Sequence, residues 1–214
     1  MGGLKIWGFC TRKELASSVE EAHLAKQLLV VDMVAGDAKR KIVGKKPGRF
    51  VEIDETLVVK RKNGVGRVLQ KDEVWLFGGV ERDTNWENVF MVPVESRTAA
   101  RLIPLIQQHI LPGTTIISDE WRSYRGIPTL PQGYTHWRVN HSQNFVNPSN
   151  PQAHTQNVES LWKKLKRNFK QQFGNRTETY DSYFPEFIWR QRFGDRSEVF
   201  YNLWLQISTY YPCE

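Results

Sequence analysis

The chain has 214 residues, 40% of them hydrophobic, 12% aromatic and 25% charged; this allows a sizeable core and excludes a disulfide miniprotein, a collagen-like repeat and wholesale disorder. Lysine and arginine number 30 against 23 aspartates and glutamates, a formal charge of +7, which favours a polyanionic partner and makes nucleic acid the first candidate. The two cysteines, Cys10 and Cys213, stand at opposite ends without a CxxC pair, so neither a disulfide framework nor a self-contained zinc ribbon is available and a reducing compartment is expected.

The start, MGGLKIWGFCTRKELASS, has no apolar core of signal-peptide length, and the best apolar stretch, 28–34, is broken by Asp32. A soluble, intracellular protein without a membrane partner is expected. Residues 1–48 hold a helical stretch over 18–34 and then the basic GDAKRKIVGKKPGR; a boundary near Pro47 separates this segment from a main domain over 49–214. Three strands follow in series, FVEIDETLVV, EVWLFGGVE and NVFMVPV. Asn63-Gly64 in the first connection suits a hairpin turn, so the first two strands should pair antiparallel. Over 96–110, Ala99, Leu102, Ile103, Ile106 and Ile110 recur at helical spacing, with Thr98 as N-cap and Pro112-Gly113 as the stop. TTIISDE is a short buried strand, WRSY a helical turn and YTHWRVN a fifth strand. After the polar connection NFVNPSNPQAHTQ, a helix over 156–172 aligns Val158, Leu161, Trp162, Leu165 and Phe169 in one stripe. Helical segments over 180–193 and 197–210 close an α/β chain with helices around a mixed sheet.

Three acids stand out. In the first strand Val51, Ile53, Leu57 and Val59 carry the apolar face, which puts Asp54 on the other face between Glu52 and Thr56. A buried carboxylate there needs a cation, a hydrogen-bond network or a metal; an edge strand with a wet face, or a structural ion pair, explains it equally well. Asp119 ends the buried strand TTIIS, where α/β sheets open into their ligand crevice, but Asp is also a favoured cap for the WRSY turn. Glu159 lies about 100° from the Val158 stripe and shares its face with Lys163, Lys166 and Lys170. That face is either simply solvated or a groove for phosphates; Lys163, Lys164, Lys166, Arg167 and Lys170, with no acid among them, favour the groove. A mid-strand Asp, a strand-end Asp and a helical Glu together are what two hard divalent cations require, the arrangement used in phosphodiester displacement. Competing motifs fail: there is no GxxxxGK[ST], GxSxG or HExxH, and His136 and His141 are poorly spaced for zinc.

The blocks VEIDETLVVKRKNGVGR, VWLFGGVER, IISDEWRSY, HWRVNHSQNFVNP and AHTQNVESLWKKLK resemble, in order and spacing over 49–170, those of the DDE transposases of the Merlin superfamily, relatives of a group of bacterial insertion-sequence transposases. The resemblance implies a ribonuclease-H-like fold, a mixed five-stranded sheet in the order βββαβαβαα. It implies Asp54, Asp119 and Glu159 as catalytic residues and as ligands of two Mg²⁺ or Mn²⁺ ions, with Lys166 on transposon-end phosphates. Lys163 and Lys170 on the same helix, and Arg61 and Lys62 in the first connection, complete the expected DNA-contacting set. Trp121 and Trp162 match block positions, as core residues more than as base-stacking ones. His141 and Asn144 either orient a ligand or shape their loop. Glu55 and Glu120 adjoin the proposed ligands, and Glu55, facing the other way, should not replace Asp54.

Relatives carry a further DNA-binding segment ahead of the core, so residues 1–48 are expected to be a helical and basic remnant of such a module and the chain a truncated copy, a fragment or a host-adopted derivative. The expected activity is two-metal hydrolysis at transposon ends followed by transfer of the 3′ hydroxyl to target DNA. Its rivals are a domesticated, catalytically inactive DNA-binding protein and a structure-specific nuclease. Double-stranded DNA is the expected partner and paired ends imply a homodimer. The location is nuclear in a eukaryote, where Lys39, Arg40, Lys41, Lys45 and Lys46 serve as an import signal or a plain basic linker, and cytoplasmic otherwise.

Overall fold

The computed structural model describes residues 49–59, 73–140, 150–171 and 180–210. The segment 1–48, the Asn63-Gly64 turn with Arg61 and Lys62, and His141 and Asn144 lie outside the described residues.

Five strands, β1 (Phe50–Val59), β2 (Val74–Glu81), β3 (Val89–Val94), β4 (Thr115–Asp119) and β5 (Thr135–Val139), form one sheet in the order β3-β2-β1-β4-β5. The first three pair antiparallel, as the hairpin signal requires, while β4 runs parallel to both β1 and β5. Between β3 and β4 the chain crosses through α1 (Ala99–His109). This mixed sheet is the ribonuclease-H-like topology, and it makes β1 the central strand, which removes the edge-strand explanation of Asp54.

A central strand is covered on both sides, and the period-two pattern of β1 distributes its residues accordingly. Val51 and Ile53 pack with Phe77, Phe90, Leu102, Ile106 and Ile116 beneath α1. On the other face, Leu76, Val80, Val89 and Met91 meet the Val158–Leu161–Trp162–Leu165 stripe of α2 (Gln156–Gln171). Tyr183, Phe184 and Phe187 of α3 (Tyr180–Phe193) close this second core, and α4 (Val199–Tyr210) follows.

The first long helix starts at Ala99 with Thr98 at the N-cap position, as expected: the Thr98 carbonyl accepts the Arg101 and Leu102 N–H groups, while its hydroxyl pairs with Ser96 Oγ and makes no side-chain cap. The helical turn of WRSY is the 3-10 turn Arg122–Tyr124, followed by a second one, Ile127–Thr129; Gly126 and Pro128 interrupt any longer helix. The described helices therefore follow the pattern of one before β4 and three after β5.

Candidate active site

The β1–β2 register sets Asp54 opposite Gly78. A Cβ on Gly78 would come within 2.7 Å of both the Phe90 carbonyl oxygen and Trp162 Cη2, so the missing side chain is what lets the Trp162 ring lie against the sheet. From that position Trp162 Nε1 donates to Asp54 Oδ2 at 3.1 Å. Trp162 is thus both a core residue, as its helical spacing requires, and a donor to the central carboxylate. Burial pushes the Asp54 carboxyl up from the ordinary 3.8 to about 7, Glu55 and Asp119 add to the rise, and the Trp162 bond opposes it.

Asp119 reaches the same place by strand register. β1 and β4 are paired from Phe50↔Thr115 to Glu52↔Ile117, and two further residues in parallel bring Asp119 level with Asp54 on the same face. Asp119 is not the cap of the WRSY turn, whose N-cap position is Trp121 with no side-chain cap bond; its Oδ1 instead accepts the Trp121 N–H at 3.0 Å, one bond that steers the chain out of β4. Glu55 points to the opposite face, where Tyr124 Oη donates to its carboxylate. Burial raises the Glu55 carboxyl, the tyrosine opposes that, and Asp119 adds to it.

α2, the helix that carries Glu159, is fixed to β1 at two levels. Glu52 Oε2 accepts the N–H groups of Asn157 and Val158 at 2.8 and 3.1 Å, and four residues on, Trp162 holds Asp54. Four helical residues rise about 6 Å and two strand residues about 7 Å, so α2 and β1 run side by side in the same direction with Glu159 at a height between the two acids. Its carboxylate accepts Thr155 Oγ1 at 3.0 Å, as an acid in a first helical turn does.

Glu52 is the residue that sequence reasoning passed over. It is fully buried, yet its carboxylate also accepts Arg82 Nε at 2.6 Å and Asn157 Nδ2 at 2.8 Å. Arg82 then ties in the chain ahead of α2, donating to the carbonyls of Gln152 at 2.6 Å and His154 at 2.7 Å. His154 Nδ1 lies 3.4 Å from Glu52 but has no hydrogen-bond partner; burial and Arg82 lower its pKa, so the ring is neutral near pH 7 and the contact is not an ion pair. His136 pairs with Ser118 Oγ at 2.9 Å, and burial lowers its pKa to about 4.

Asp54 and Asp119 are therefore together, while among the described residues no three His, Cys, Asp or Glu side chains stand close enough to hold a metal ion. The donor chemistry of the pair fits a hard cation: both offer carboxylate oxygens, and Mg²⁺ in phosphoryl-transfer sites takes one or two carboxylates along with substrate phosphate. On α2, Lys163, Lys166, Arg167 and Lys170 are exposed. Lys164 departs from this row: it lies over Trp86, 5.1 Å from the ring centroid, and bonds Gln191, because its position flanks the buried stripe and its stem covers apolar surface.

Residues 46–192, more than half of the chain, match the ISXO2-like transposase domain. Fold and match define a transposase domain of the DDE class. The chain belongs to the ISXO2-like transposase family. A transposase-like protein from Haemophilus influenzae is 28% identical over 102 residues, 48% of this chain and 79% of that one. The catalytic core of BIV integrase is 17% identical with a TM-score of 0.43, covering 76% of this chain and 97% of the integrase core. For an intasome chain of simian T-cell lymphotropic virus the values are 17% and 0.41, over 71% of this chain and 51% of that one, so this chain spans about half its length. A pre-cleavage Mos1 transpososome chain is 13% identical with a TM-score of 0.29, over 98% and 67% of the two chains. Among the described residues no helix is long and apolar enough to cross a membrane.

Proposed function

We propose that this chain is a metal-dependent polynucleotidyl transferase that cuts phosphodiester bonds at transposon ends and joins the 3′ hydroxyl to target DNA. The observation that carries the reading is the side-by-side placement of Asp54 and Asp119 on adjacent parallel strands, with Trp162 of α2 bonded to Asp54, in a member of a transposase family. Asp54 and Asp119 would hold the divalent ions, Mg²⁺ or Mn²⁺, and Glu159 would join them by turning its carboxylate from Thr155. Such ions supply Lewis-acid activation of the attacking oxygen and charge stabilisation of the leaving one. Trp162 orients the Asp54 carboxylate, Glu52 and Arg82 hold the helix that presents Glu159, and the exposed Lys163, Lys166 and Lys170 receive DNA phosphates, joined by Arg61 and Lys62.

The assignment to the Merlin superfamily rests on the VEIDET, IISDEW and QNVESLW blocks. Two copies acting on paired ends, residues 1–48 as a remnant of a DNA-binding module, and a nuclear or cytoplasmic location according to the host are parts of the same proposal. DNA binding without catalysis is the second reading, favoured by the bond between Glu159 and Thr155. A cleavage and strand-transfer assay with Mg²⁺ separates them. Asp54→Asn, Asp119→Asn and Glu159→Gln should each lose at least about a hundredfold in rate, some 2.7 kcal/mol of transition-state stabilisation, while still binding DNA. Equal turnover by wild type and Asp54→Asn would overturn the reading; binding by wild type without any turnover would select the second.

A further inference from the structure

The loop that carries Asp119 also builds one wall of a recess on the α1 side. Arg97, Thr98, Trp121, Arg122, Ser123 and Arg125 line a cavity of about 530 Å³, with no acid in its lining. That volume falls in the range of roughly 300 to 1,000 Å³ typical of sites for small organic ligands, so one nucleotide fits. The recess is built, since the Arg97 carbonyl oxygen accepts Ser123 Oγ at 2.7 Å and Trp121 Nε1 at 3.2 Å. Those two bonds join the start of α1 to the loop after β4. The Arg97 guanidinium lies 3.9 Å from the Trp75 ring centroid and 5.0 Å from that of Trp121, and the Arg122 guanidinium 5.9 Å from Trp121. Among the described residues none of the three arginines makes an ion pair with a carboxylate; Glu55, the acid whose charge Arg97 feels, is bonded to Tyr124. The first turn of α1 has no acid and no side-chain cap, so the positive end of that helix adds to the field of the arginines.

We propose that this recess binds one nucleotide of the DNA strand led to Asp54 and Asp119, its phosphate held by Arg97, Arg122 and Arg125 and its sugar and base against the half-buried Trp121. The inference rests on the polynucleotidyl-transferase reading. Trp121 ties the recess to the acids through its N–H bond to Asp119, so a strand seated here continues toward them. Planar guanidiniums suit phosphate better than the point charges of lysine do, which distinguishes this site from the lysine row of α2.

The test is fluorescence anisotropy with a fluorescein-labelled 30-base-pair duplex, in EDTA, across a salt series. Arg122→Ala/Arg125→Ala, at two exposed positions, should weaken binding about tenfold and flatten the salt slope by roughly 0.9 for each phosphate no longer neutralised. Arg101→Ala/Arg196→Ala removes the same charge from exposed positions outside the recess and should cost less than about threefold. If the recess variant binds like wild type, or if the control pair loses as much, the recess is not a nucleotide site, while DNA binding by wild type leaves the enzymatic reading standing. If wild type itself does not bind the duplex, both fall.

Discussion

Glu52 and Asp54 stand two residues apart on the same face of the central strand, and the protein treats them in opposite ways. Glu52 is surrounded by donors: two helix N–H groups, an asparagine amide and an arginine. Asp54 receives one side-chain N–H, from the neutral Trp162 indole, and has two further carboxylates near enough to raise its pKa. A carboxylate at a helix N-terminus with a cationic partner has its hydrogen-bonding and charge satisfied from within. One recessed among like charges lacks that support and is suited to a cation from outside. The difference teaches that the strand separates its carboxylates by height, with an anchor at the level of Glu52 and the proposed metal ligand two residues further on.

The sharpest way to break the comparison is to empty the lower level. Glu52→Ala leaves Arg82 buried without its partner and frees the start of α2, so it should cost about 3–5 kcal/mol, read from urea unfolding. Glu52→Gln keeps the shape and some of the acceptor bonds and should cost less; if both unfold at the wild-type urea concentration, Glu52 anchors nothing. A smaller effect is expected one step away, at Gly78. Gly78→Ala puts a methyl into the Phe90 carbonyl and the Trp162 ring, an overpacking worth about 1–3 kcal/mol. It should also shift tryptophan emission as the ring leaves Asp54; unchanged stability and emission would mean that the close approach is unimportant.

How much of this was legible in the sequence depends on the range of the contacts involved. The alternation in FVEIDETLVV placed Glu52 and Asp54 on one face, and the Val158 stripe identified the buried side of α2, because both are local periodicities. Strand order was not local: the parallel pairing that puts Asp119 beside Asp54 joins segments far apart in the chain, and only the family resemblance reached it. Glu52 escaped notice for the same reason, its partners lying 30 and 105 residues away. A signal for Trp162 was present in the Gly78-Gly79 pair inside a strand, a mark of close approach, but it does not say what approaches. Lys164 was grouped with the exposed lysines by its charge, whereas its position beside the apolar stripe decides where its stem goes. Arg97, just ahead of a helix, carries no motif at all, and the recess it lines follows from two bonds to a loop more than twenty residues later.

The remaining expected effect is the most discriminating, because its sign is opposite to that of an ordinary buried substitution. The Asp54 carboxyl has a pKa near 3.8 in an unfolded chain and about 7 in the fold. Between those values the folded state binds the extra proton, so stability falls as pH rises through the window and the full cost of the recessed charge is present above pH 7. An asparagine side chain in its place would carry no such cost and still accept the Trp162 N–H. Asp54→Asn should therefore match wild type near pH 4, gain on it from pH 4 to 7, and melt roughly 10 °C higher at pH 8 in metal-free buffer. Millimolar Mg²⁺ should then raise the wild-type Tm and narrow the gap, since a ligand that binds the folded acids stabilises them. A variant less stable than wild type at pH 8 would mean that Asp54 is held as Glu52 is, by its own surroundings, and the contrast between the two levels of β1 would disappear.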